Sequence, residues 1–113
     1  VPPRFQVRLT LGAEMDLESL YRHAVEHRSL AQAEDLLDTL SAAIGTLEAH
    51  PHRGAAPMEL AALGIRDYRQ FVVSPYRVIY RVIDAAVYVF VIADGRRDMQ
   101  ALLERRLLNP PTP

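Results

Sequence analysis

The residues of this chain best suited to chemistry are arginines. Arg66, Arg69, Arg77, Arg81, Arg96 and Arg97 crowd into its second half. A guanidinium is a permanent cation with a planar fork of donors. It matches carboxylates and phosphates and can steady charge that develops on an anion. It is a poor proton acceptor, so arginines alone point to anion binding, and catalysis would need a further group to move protons. Other constellations are thinner. His23 and His27 stand at i, i+4, a spacing that can grip a metal, but only Glu26 lies near them and no third ligand follows; surface histidines are the simpler account. His50 and His52 flank Pro51 and read as solvated. Ser74 sits at a turn with neither histidine nor acid nearby in sequence. Gly95 stands alone, without a glycine-rich phosphate loop, and the carboxylates are scattered rather than set as metal ligands. No metal site and no cofactor are expected.

The elements that must position these arginines follow from hydrophobic period. Phe5 to Leu9 alternates apolar and polar, the pattern of a half-buried strand, with Pro2 and Pro3 just before it. From about residue 13 to 28 the period changes. Leu17, Leu20, Tyr21, Ala24 and Val25 define one face of a helix, with Glu14, Asp16 and Glu18 in its first turns and Arg28 at its end. Ser29 is a suitable N-cap for a second helix. There Leu30, Ala33, Leu37, Leu40, Ile44 and Leu47 form a stripe that runs to about Ala49. Two long helices with hardly any linker predict an antiparallel hairpin, its stripe covered by the first helix and a sheet rather than by a second copy. His50 to Gly54 and Pro57 break the pattern, with a short helical turn at Met58–Leu63 ended by Gly64.

The remainder reads as strands. Ile65–Val73, Tyr76–Ile83 and Val87–Ile92 are separated by turns at Ser74-Pro75 and Asp84-Ala85-Ala86. The last run is apolar on both faces, as a central strand would be. Asp98 can cap a final helix from Met99 to about Leu108, before Pro110-Pro111. Strand periodicity puts Arg77 and Arg81 on one face and Tyr76 and Tyr80 on the other. One face would meet the helices and the other would carry guanidinium groups. These would either serve a site or be solvated and paired with Asp67, Asp94 or Asp98. The predicted order is β-α-α-β-β-β with a short C-terminal helix. That is an α+β, two-layer fold: a helical hairpin at about 13–49 on a small, mostly antiparallel sheet at about 65–93, all one domain.

Composition fits this picture. The chain has 113 residues, half of them apolar, and no cysteine, which excludes disulfide scaffolds and thiol chemistry. No apolar run approaches the ~20 residues of a membrane span, and no signal peptide is visible, so a cytoplasmic protein is expected. The net charge of -1 hides an asymmetry: residues 1–50 hold eight acids and four arginines, residues 51–113 six acids and nine arginines. All 13 basic residues are arginine. Genome composition accounts for that most simply, but the asymmetry still says where an anionic partner would go.

The strand pair from Pro75 to Ile92, followed by Asp94-Gly95-Arg96-Arg97-Asp98, resembles the RelE/ParE toxins of bacterial type II toxin–antitoxin systems. Leu9-Thr10 through Leu17 looks like the family's opening strand and helix, and Pro51 through Pro57 like its helix-to-sheet connection. The resemblance spans about Phe5 to Leu108. It implies the fold derived above and a toxin neutralised by a cognate ParD- or RelB-like antitoxin, with DNA reached only indirectly through that antitoxin. RelE-like members cut mRNA on the ribosome; ParE-like members poison DNA gyrase. Arg77 matches the arginine of the family's tyrosine–arginine strand and Arg97 the one after the last strand. Arg66 or Arg69 falls near positions where RelE-like members carry lysines. No Tyr or His follows Arg97, and the place of the RelE-like tyrosine falls near Leu103. That departure, with the Gly-Arg-Arg-Asp ending, favours the ParE-like branch. The toxic surface implied is Arg77, Arg81, Arg96 and Arg97; in a ribonuclease, Arg77 and Arg97 with Arg66 or Arg69 would do the chemistry.

Overall fold

The computed structural model describes residues 4–108; Pro2, Pro3, Pro110 and Pro111 lie outside them. β1 (Gln6–Leu9) leads into α1 (Leu11–His27), which starts earlier than its apolar face suggests because Thr10 caps it, its hydroxyl accepting from the Ala13 amide. Ser29 caps α2 (Leu30–Gly45) through the Gln32 amide at 3.0 Å, as its sequence position predicts. Beyond Gly45 the helix tightens into a 3-10 turn, Thr46–Glu48, which still buries Leu47. Val25, read as part of the core face of α1, is exposed; Leu30 likewise lies outside the core.

A short α3 (Met58–Ala61) precedes the C-terminal strands. β2 is Arg69–Val73, shorter than the predicted Ile65–Val73. Residues 65–68 leave the sheet because Ile65 and Tyr68 pack beneath it, the Tyr68 ring edge-on to Phe90 at 5.4 Å. β3 (Tyr76–Ile83) and β4 (Ala86–Asp94) form the expected hairpin. The sheet order is β1-β4-β3-β2, with β1 parallel to β4 and the other pairs antiparallel. β4 is therefore central, as its doubly apolar sequence requires. α4 (Met99–Leu103), capped by Asp98, widens into a π-helical turn at Glu104–Leu108.

The two faces of β4 are reconciled by a bulge. Ile79 pairs with Val91 and Tyr80 with Val89, which leaves Phe90 as the extra residue. Before it, Val87 and Val89 face the helical hairpin with Tyr76, Val78 and Tyr80; after it, Ile92 does, while Val91 and Ala93 turn to the opposite face. The hairpin side holds Leu40, Ile44 and Leu47 in the main core. The opposite face was expected to carry guanidinium groups, and Arg77 and Arg81 do lie on it. It also holds a second core, where Ile79, Val91 and Ala93 meet Leu60, Leu102 and Leu103 from α3 and α4. Full burial of each such side chain contributes roughly 1.5–3 kcal/mol.

Candidate functional site

The arginines of the sheet divide by what they touch. Arg77 leaves the middle of the sheet and meets Glu59 of α3 fork to fork, Nη1 to Oε2 and Nη2 to Oε1, each 2.8 Å. Its Nε donates to Gln70 Oε1 at 2.7 Å. The Arg77 side chain is only 14% exposed, and the pair floors a cleft of about 320 Å³ rimmed by Met58, Ala62 and Gln100. Arg77 holds the Glu59 carboxyl below its ordinary range by direct hydrogen bonding, which outweighs burial.

Arg81 shares that face, as strand periodicity predicts, and its guanidinium lies 4.0 Å from Asp67 and 5.8 Å from the Tyr68 ring centre. Arg69 turns away from any site: Nη1 donates to the carbonyls of His52 and Gly54 and pins the connection to β2. Arg66 is exposed. Arg96 wraps onto Asp94, Nε to Oδ1 at 2.9 Å and Nη2 to Oδ2 at 2.6 Å. Those side-chain bonds, with the Arg96 amide, pull the Asp94 carboxyl down to about 2. The solvated, acid-paired alternative is thus what Arg81 and Arg96 show, with Asp67 and Asp94 as the partners. Asp98 instead caps α4. Leu103, at the place of the RelE-like tyrosine, is fully buried in the second core.

Arg97 is different. It is exposed and makes no ion pair among the described residues. It lies with Arg96, Arg28, His23 and Asp94 around a recess of about 420 Å³ between the sheet end and α1. Arg28 also has no acidic partner among the described residues, and sits where α1 turns into α2. A second recess, about 260 Å³, adjoins across the ridge of Arg28 and Tyr76 and is walled by Leu36, Val73 and Pro75. Arg28 and Arg97 therefore face one recess, and Arg77 is not part of it.

Sequence reading did not find Glu59 or the participation of Arg28 and His23. Glu59 lies in the short helix after Pro57, and no local spacing links it to Arg77. Arg28 was legible only as a cation at a helix end. His23 and His27 stack with ring centres 4.2 Å apart. Among the described residues no group of three or more acids and histidines could hold a metal ion, and no helix is long and apolar enough to cross a membrane.

A further ion pair fastens the C-terminal turn. Arg106 grips Asp16 of α1 at 2.9 and 3.1 Å and donates to the Phe90 carbonyl at 2.9 Å, while Asp16 accepts the Ile92 amide at 2.9 Å. β1 stops pairing at Val89, so two side chains continue the hydrogen bonding along β4 where the strand ends.

Comparisons with known proteins agree with this architecture. The chromosomal ParDE toxin–antitoxin system of P. aeruginosa has a chain that superposes with a TM-score of 0.68 at 17% identity, over 80% of this chain and 96% of that one. The RelBE2 toxin–antitoxin complex of Mycobacterium tuberculosis gives a TM-score of 0.59 at 21% identity, over 83% and 94%. At these identities the likeness is one of fold. No curated protein matches the sequence. The model of the ParE toxin of the type II toxin–antitoxin system parDE matches residues 7–99, from the first strand to the start of the last helix. The chain belongs to the ParE toxin family of type II toxin–antitoxin systems.

Proposed function

We propose that this protein arrests growth in the cytoplasm by binding and poisoning DNA gyrase, without chemistry of its own, and that a cognate antitoxin neutralises it. The observation that carries this reading is the closure of Arg77 by Glu59. A ribonuclease using the sheet arginines needs Arg77 to take a phosphate, and here its fork is filled by a carboxylate from the same chain. The buried Leu103 supports the same branch, since a leucine cannot move a proton. The free cation Arg97, flanked by Arg96, is the better candidate for contact with a target. Membership of the ParE family supports gyrase as that target.

The test is induction without antitoxin, with supercoiling and cleavage by purified gyrase assayed beside translation in vitro. Gyrase inhibition with trapped, cleaved DNA and intact mRNA is expected. Ribosome-dependent mRNA cuts with unimpaired supercoiling would overturn the proposal.

A further inference from the structure

The two adjoining recesses at the corner of the helical hairpin combine features that no single function of the sheet explains. One is cationic, the other apolar, and Arg28 and Tyr76 line both. We infer that this double recess seats an acidic, apolar-anchored segment of the antitoxin: a carboxylate between Arg28 and Arg97, and an apolar side chain against Leu36, Val73 and Pro75. The inference rests on the antitoxin proposed above.

Charge assigns the occupant. Arg4, Arg22, Arg77, Arg81, Arg96 and Arg106 lie within ion-pair distance of acids of this chain; Arg28 and Arg97, like Arg8, Arg53, Arg66, Arg69 and Arg105, have none among the described residues, and Arg28 and Arg97 line the same recess. Two uncommitted guanidinium groups at one recess attract carboxylates and select for their spacing. A nucleic-acid strand fits less well. Asp94 stands in the cationic recess and Asp35 in the apolar one, and either repels a continuous phosphodiester. A peptide can offer single acids where the arginines are and apolar side chains where the wall is, which a uniformly charged backbone cannot. Such a segment would cover Arg97 itself, so neutralisation would act by occluding the cation that the target needs.

Binding of the labelled antitoxin to the full-length toxin tests this, with R28E, R97E and the exposed C-terminal R105E as a control. R28E and R97E are each expected to weaken binding at least tenfold, and R105E to leave it unchanged. V73D, which puts a charge in the apolar recess, is expected to weaken it similarly. Thermal melting of each variant checks the fold, and R28Q with R97Q carries the same test where charge reversal impairs it. Antitoxin affinity indifferent to R28E and R97E would overturn the inference alone. So would loss of binding to a short DNA duplex with antitoxin affinity intact, which would make the recess a nucleic-acid seat. A wild-type toxin that forms no complex at all would overturn the antitoxin reading and the inference with it.

Discussion

Arg77 and Glu59 lie 18 positions apart in the chain and meet as a parallel two-bond pair, each bond 2.8 Å long. The pair ties α3 to the middle of the sheet. Glu59→Gln keeps the shape but removes the charge that balances a mostly buried guanidinium. It should cost about 2 kcal/mol in urea unfolding. The carboxyl is held below its ordinary value, so its stabilising effect is present above the unfolded value of 4.5 and is lost as pH falls through the lower folded one. Melting temperature of the wild type should therefore fall below about pH 4.5 more steeply than that of Glu59→Gln.

Arg77→Ala and Arg97→Ala should part company. The family resemblance places both in the toxic surface, so loss of either is expected to reduce growth arrest. The structure alters the first expectation, because losing Arg77 strands Glu59 in the cleft. Arg97→Ala should reduce growth arrest with unchanged melting. Arg77→Ala should lower stability by about 2–3 kcal/mol as well. Paired growth curves and thermal melts distinguish the two.

Gly54 has φ of +81°, and a Cβ there would lie 2.0 Å from the Gln70 carbonyl oxygen. Neither the left-handed backbone nor the contact tolerates a side chain, and both partners are backbone. Gly54→Ala should push the connection off β2, breaking the Ala55–Gln70 bridge. A loss above about 2 kcal/mol is expected, read as a fall in Tm of roughly 10 °C.

Asp94 should titrate near pH 2 by carbon NMR, against 3.8 for an ordinary aspartate, because of the Arg96 fork. Its ionised form favours the folded state above pH 3.8, and that preference disappears on descent through about 2. The charge of the neighbouring recess should accordingly be insensitive to Asp94 from neutral pH down to about 4. Arg96→Ala should return the midpoint toward 3.8.

Much of the fold was legible because it is written in local periods. The i, i+3, i+4 stripe of α2, the Ser29 and Asp98 caps and the alternation of Tyr76 to Ile83 each involve near neighbours. What was not legible depends on chain crossings. The bulge at Phe90 explains a β4 that looks apolar throughout, but an apolar run does not say which face each residue takes. Glu59 reaches Arg77 only because α3 folds beneath β3. Arg106 reaches Asp16 across 90 positions. The candidate site suffered most. An arginine's type and strand face are readable, whereas whether its fork is free is decided by a distant acid.

The pairing of β1 with β4 has a consequence for synthesis. Gln6 to Leu9 align with Ala86 to Val89, so the first strand of the sheet has no partner until the last one emerges. The Asp16 clasp waits longer still, for Arg106. A nascent chain can form its helical hairpin early, from local contacts, but not the sheet that carries Arg97. The surface proposed to be toxic is therefore completed only after the last strand of the sheet has emerged.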